Sequence, residues 1–450
     1  MRRSSTLTMV IALLVPAPAA AADAPDPLAP EVQRAIDEAV REALARERAR
    51  PAEEAPAEAP APQSEEARLK FVESNVVSLV GREGFRWQDR EGTFLLNPYV
   101  LVQTRMQFLQ VDDEGLDLAD HDNVVDVGFG VPNAILGVAG KAYGRLSFNV
   151  AMNGACAGRG CLLNEAWLEG NVADEFRVLV GKFKTPMHWH VQTRLAGKMA
   201  ANTPSSLTTR VNVPFDLNAA NPVFATGIDL GVMVHGLVGN RFLYQVGIFS
   251  GEGVQVNVPT SNLSDDNNVP ALLYGARLAW MPFGPPALEE GGPAGHGDLR
   301  LLLGASASYN VETNAESSND LRAGLELVVA GKGWYWAAEG YLLHMDFMER
   351  LKNSPSYLFW GAHTVLGHTF AAGVEPFVRV DALDRNSTDH AGVLVMPGVG
   401  VNWYVYEQNL KLQALYQYLA KAGHDDSIAA NDDDNGLAEH TSMVQLQFAF

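Results

Sequence analysis

Lys182, Lys184, Arg194, Lys198 and Arg210 all fall between Glu175 and Asp216, a stretch without a single intervening carboxylate. The chain carries a net charge of −20, so this basic segment runs against its own composition. Cations gathered without counter-charges can attract an anion, or they can pair with carboxylates from elsewhere in the fold and fix the segment in place. The two chemistries are compatible, because a segment held by some of its cations still presents the others. Other clusters carry less. His188-Trp-His190 puts two imidazoles on one side of an extended segment, but no third ligand is evident. Asp432-Asp-Asp-Asn435 lacks the spacing of an EF-hand loop and reads as a solvated acidic loop. Glu165 and Glu169 share a strand face, as the paired carboxylates of a hydrolase would, yet no cleft is implied around them. The sequence contains no Gly-x-Ser-x-Gly, P-loop or zinc-protease helix, so no catalytic residue, cofactor or metal is expected.

Cys156 and Cys161 stand in a Gly-rich turn with C-x4-C spacing. In an exported chain this predicts a local disulfide. Closing so short a loop contributes about 2 kcal/mol.

The basic stretch joins two segments of alternating polarity, and such segments dominate from residue 94 onward. In 145–153, for example, Leu146, Phe148, Val150 and Met152 fall on one face, with Arg145, Ser147, Asn149 and Asn153 on the other. Sixteen strands are predicted, near 94–110, 131–141, 143–153, 161–171, 175–184, 226–236, 241–250, 271–281, 298–310, 321–331, 334–346, 356–369, 372–384, 392–404, 409–420 and 440–450. Most have the length a tilted membrane strand requires. Their connections alternate short (near Ala142, Val172, Gly239, Gly333, Ala371 and Glu407) and long, as in a barrel with tight periplasmic turns and longer outer loops. The connection 282–297 breaks this rule, being a loop where a turn is due. On the assigned faces Arg145, Arg177, Arg277, Arg300, Arg322, Arg379 and Lys411 point into the bore, mixed with Glu165, Glu169, Glu326, Glu339, Glu375 and Asp381. Turning one of these basic groups toward lipid would cost about 2–4 kcal/mol, which favours the register.

Residues 1–22 have the basic start, apolar centre and small-residue end of a secretory leader, too short to span a membrane. No later stretch is a candidate spanning helix, so a membrane crossing must be made by a closed barrel. Removing the leader takes away Arg2 and Arg3 and no acid, leaving −22, and no basic surface suits nucleic acid. Residues 23–70 are rich in Ala, Glu and Pro. Their thin apolar stripe suits a short coiled coil and a solvated helix equally, followed by a semi-extended linker. The last strand places Val444, Leu446, Phe448 and Phe450 on one face and ends the chain on an aromatic. The expected fold is therefore all-β: a 16-stranded antiparallel transmembrane barrel behind a helical tether, with 185–225 folded into the bore as a constriction.

Four blocks carry a resemblance to a known family: Leu136-Gly-Val-Ala-Gly-Lys-Ala-Tyr-Gly144, Asn164-Glu-Ala-Trp-Leu-Glu169, Val180-Gly-Lys-Phe-Lys-Thr-Pro186 and Glu375-Pro-Phe-Val-Arg-Val-Asp381. Over residues 70–450 the chain resembles the phosphate-selective porin O and P family. The resemblance implies a homotrimeric porin in the outer membrane of a Gram-negative bacterium, surrounded by lipid. Small hydrophilic or anionic solutes would pass a constriction formed by the loop after Pro186. The family's consecutive arginines before the Leu-Gly-Val block are replaced here by Val131-Pro-Asn-Ala-Ile-Leu136, which weakens the case for phosphate without touching the barrel. Passive diffusion with mild anion preference is the expectation. The alternatives are a general or cation-leaning pore governed by acidic segments such as Asp425-Asp426 and Asp432-Asp-Asp434, or a structural or enzymatic barrel.

Overall fold

A computed structural model describes residues 76–81, 84–89, 91, 93–112, 123–155, 162–208, 224, 226–251, 272–292, 297–311, 318–347, 356–384, 393–422 and 438–450. They begin with a hairpin, β1 (Val76–Gly81) and β2 (Gly84–Asp89). Sixteen further strands follow: β3 (Leu95–Asp112), β4 (Asn123–Ala142), β5 (Leu146–Asn153), β6 (Leu163–Ala173), β7 (Phe176–Lys184), β8 (Ile228–Val238), β9 (Phe242–Phe249) and β10 (Leu273–Trp280). The second half comprises β11 (Arg300–Asn310), β12 (Ser318–Gly331), β13 (Trp334–Phe347), β14 (Ser356–His368), β15 (Val374–Asp384), β16 (Val393–Tyr406), β17 (Leu410–Ala422) and β18 (Ala438–Ala449). From β3 onward each strand pairs antiparallel with the next, and β18 returns to β3 through pairs from Ala449↔Leu101 to Ala438↔Asp112. That pairing closes the sheet into a 16-stranded barrel and leaves the ring without an edge. β2 extends β3 through Trp87↔Leu96 and Gln88↔Leu95.

Every predicted strand overlaps one strand of the ring, with two differences. β4 begins at Asn123 rather than 131, because its Gly128 and Gly130 read as loop residues yet pair with Gln107 and Arg105. The β1–β2 hairpin was not anticipated. The leader, the helical tether, the Cys156–Cys161 pair, Arg210 and the acidic segments at 425–426 and 432–434 lie outside the described residues.

Alternation sorts the side chains into a bore face and an outer face. On β15 Glu375, Phe377, Arg379 and Asp381 are buried while Val378 and Val380 are exposed. On β18 Gln445 and Gln447 are buried while Val444, Leu446 and Phe448 are exposed. An apolar outside and a polar inside is the arrangement a barrel needs in lipid. Trp280, Trp334, Trp336, Trp403 and Tyr406 lie exposed near strand ends, suited to an interfacial girdle. Tyr404, beside Trp403, turns inward instead and donates to Glu375 Oε2 at 2.5 Å. The short connections are tight: Gly239-Asn240 (φ 58° and 56°) and Lys332-Gly333 (φ 54° and 83°) have the paired positive φ of type I′ hairpins.

Candidate pore constriction

The basic loop starts at a backbone irregularity. Gly181 on β7 has φ +127°, and a Cβ there would lie 2.2 Å from the Ala166 carbonyl oxygen. Only glycine fits that close approach, which accounts for its place in the Gly-Lys-Phe-Lys-Thr-Pro block. Beyond Lys184 the chain turns into the ring through one helical turn, Trp189–Gln192. Trp189 packs with Met199, Ala200 and Ala201 against wall residues including Val328, Tyr335, Phe377 and Leu415. Leu207 and Phe224 form a second anchor with Tyr341, Leu343 and Phe359. Polar groups of the wall then satisfy the loop backbone. Asn402 and Gln413 each donate to the Met199 carbonyl at 2.9 Å, Lys411 donates to that of Lys198 at 2.6 Å, and Gln447 to that of Ala196 at 2.8 Å. Arg379 donates to Asn202 and Arg105 to the Ala201 carbonyl. The loop is therefore laid against the wall formed by β12–β18 and β3.

Residues 281–292 of the irregular connection between β10 and β11 meet this loop inside the ring. Glu290 lies beside Lys198 (Nζ–Oε1 3.4 Å) and His190 (Nδ1–Oε1 2.6 Å), and its Oε2 accepts from the Met199 N–H at 3.2 Å. Backbone bonds knit the two segments together, Arg194 N–H to Leu288 O at 2.8 Å and Glu290 N–H to Gly197 O at 2.7 Å. Gly197 has no room for a side chain, since a Cβ would lie 3.0 Å from the Glu289 Cα. The connection is moored in turn by Glu375, which accepts from the Gly292 N–H at 2.7 Å. Burial works against the Glu290 carboxylate, yet the His190 ring N–H and the Lys198 ammonium hold it well below the usual carboxylate range. Burial pushes the His190 ring down to about 4 and the His188 ring down to about 3.

The four predicted loop cations among the described residues thus have different fates. Lys198 is half-buried and also donates to the His190 carbonyl and Thr193 Oγ1. Lys184 donates to the Thr193 carbonyl at 2.6 Å and has no carboxylate in contact among the described residues. Lys182 is 1% exposed, with Asp229 as its neighbouring opposite charge. Arg194 is exposed, and its guanidinium has no hydrogen bond or ion pair among the described residues. On the wall, Arg277 is paired twice to Glu326 at 2.6 and 3.2 Å, Arg322 to Asp320 at 3.3 Å, and Arg379 to Asp381 at 3.3 Å. Arg177 pairs with Asp174 at 2.8 Å, while Arg300 donates to the Phe283 carbonyl. Arg145 lies in the turn before β5, exposed at the rim rather than on the wall. His188 and His190 face Tyr341 and Glu290, and no group of three His, Cys, Asp or Glu among the described residues is placed to hold a metal ion. Arg105 and Glu290 escaped the sequence reading. Arg105 follows Leu101 and Gln103 on one alternating face, a usable signal, whereas nothing local marks Glu290 as the partner of a lysine 92 residues away.

Residues 102–450 match the model of the family described as phosphate-selective porin O and P. No curated protein matches the chain in sequence. Among solved structures, an anion-selective porin from Comamonas acidovorans is 12% identical with a TM-score of 0.49, the match covering 79% of this chain and 100% of that one. The trimer form of in-vitro folded OmpT, an outer membrane protein of Vibrio cholerae, is 11% identical with a TM-score of 0.49, covering 80% and 100%. The outer membrane channel DcaP of Acinetobacter baumannii is 10% identical with a TM-score of 0.47, covering 83% and 100%. The family match takes in almost the whole closed ring together with the loop inside it. The chain belongs to the phosphate-selective porin O and P family, and is a non-enzymatic β-barrel porin of the outer membrane.

Proposed function

We propose that the barrel lets small hydrophilic solutes diffuse passively across the outer membrane, with a mild anion preference at the constriction. The observation that carries this reading is Arg194, exposed on the loop without a counter-ion among the described residues. Lys184 reinforces it, being close enough to Arg194 to feel its charge while its own ammonium is held by carbonyl oxygens. Positive potential left uncancelled between low-dielectric walls concentrates anions there. The preference is mild because most other cations are paired.

Glu165 favours a second reading, a general or cation-leaning passage. Its carboxylate accepts from Asn149 at 3.1 Å and Trp167 at 3.2 Å, both neutral donors, so its charge also remains. In either case the barrel functions as a homotrimer, with residues 1–22 removed on export and 23–70 serving as a periplasmic tether. Single-channel recording of the refolded protein under a KCl gradient tests the reading. Stepwise conductance with an anion-selective reversal potential supports it, and a cation-selective reversal gives the second reading. A folded, heat-modifiable barrel without conductance overturns both.

A further inference from the structure

We infer that Glu290, carried into the bore by the periplasmic connection 281–299, is a specificity-determining residue of this pore. It cancels Lys198 and positions the loop so that Arg194 is the cation facing the passage. The inference rests on the porin reading and deepens it.

Three sets of contacts carry it. The first is the convergence on one carboxylate: Lys198, His190, Thr193 Oγ1 (3.3 Å) and the Met199 N–H all address Glu290. No other carboxylate is within salt-bridge distance of Lys198 among the described residues. The second is the backbone seam. The bond from Arg194 N–H to Leu288 O fixes the residue that bears the free guanidinium, and the bond from Glu290 N–H to Gly197 O fixes the turn before Lys198. The third is the mooring. Glu375, 0% exposed, holds Gly292 from β15 and is itself held by Thr369 at 2.6 Å and Asn402 at 2.9 Å. A connection that only joined β10 to β11 would need two or three residues. This one reaches into the bore and presents its carboxylate to the loop cation.

A pore selects by the charges that remain after such pairing. Removing the Glu290 charge therefore leaves Lys198 uncancelled, and removing Lys198 leaves Glu290 uncancelled. The two substitutions must move ion selectivity in opposite directions, and together they must restore it.

The test is the chloride-to-potassium permeability ratio of the refolded full chain at pH 6, in wild type, Glu290→Gln, Lys198→Met and the double variant. Glu290→Gln raises the ratio by about twofold or more, Lys198→Met lowers it, and the double variant returns it to the wild-type value. Glu290→Asp, which keeps the charge, stays near wild type, as a purely packing role would not require. Should Glu290→Gln fail to fold, Lys198→Met still decides: a folded, conducting Lys198→Met barrel with the wild-type ratio overturns the inference. So does a conducting Glu290→Gln barrel with an unchanged ratio. Absence of stepwise conductance in the wild type would instead overturn the porin reading itself.

Discussion

The Trp189 indole N–H donates to the Tyr335 hydroxyl at 2.8 Å, and the two side chains are 2% and 0% exposed. This contact ties the start of the constriction loop to β13 across 146 residues of sequence. Trp189→Ala removes a large buried anchor and destabilises the loop packing by about 3–5 kcal/mol. Tyr335→Phe keeps the ring but strands a buried donor, at a cost of about 1–3 kcal/mol. Both barrels remain heat-modifiable, and Trp189→Ala conducts more, with greater open-channel noise. Wild-type conductance and noise from Trp189→Ala would mean that the loop is held elsewhere.

Gly181→Ala tests the entry to the loop. Its new methyl would meet the Ala166 oxygen at 2.2 Å and the Trp167 Cα at 2.9 Å, both backbone atoms that cannot swing away, at a residue whose φ of +127° already disfavours any side chain. The β6–β7 pairing around Trp167↔Gly181 should break, and the yield of heat-modifiable barrel should fall severalfold. Gly144→Ala makes a fair control, since a Cβ there meets nothing within 4 Å although its φ of +67° is also positive. Equal refolding yields for the two variants would show that the clash at Gly181 is relieved cheaply.

The ring was legible in the sequence for a physical reason. Each strand separates an apolar from a polar medium, so the period of two is written into every segment, as in Leu146, Phe148, Val150 and Met152. The loop's anchors were not legible. Trp189 and Met199 find Tyr335 and Phe377 only after the ring has closed, and no periodicity encodes which wall a loop will lie against. The basic composition marked a segment that folds into the ring but not which charges remain. That depends on Glu290, whose connection was noticed only because it was too long for a turn. The β1–β2 hairpin was missed because it precedes residue 94, where the regular alternation begins.

Arg194 and Lys184 should differ in weight. Arg194→Met removes an exposed, unpaired charge and should lower the chloride-to-potassium permeability ratio by about twofold. Lys184→Met removes an ammonium already bound to the Thr193 and Gln192 carbonyls, so it should change the ratio less and loop noise more. Reversal potentials of the two variants under one KCl gradient decide the matter. A larger shift from Lys184→Met would place the filter at the strand end rather than on the loop.

Acidification should loosen the loop, and His190 sets the window. Its ring faces Glu290, Lys198, His363 on β14 and Arg379 on β15, its backbone N–H donates to Glu339 on β13, and burial lowers the ring from 6.5 to about 4. Between those values a released loop binds a proton that the packed loop excludes. The contribution to packing is therefore complete above about pH 6.5 and is lost as pH falls toward about 4, with an amplitude on the order of 3 kcal/mol. His188, lowered from 6.5 to about 3, acts with the same sign over this window and below it, and Glu290, held below its usual range, acts with the same sign at lower pH. Open channels should be quiet at pH 7 and flicker increasingly between pH 6 and 4. His190→Gln, which cannot take up a proton there, should flicker less at each pH between 6 and 4 while keeping the share that His188 contributes. Equal flicker at every pH in the two proteins would remove His190 from the account.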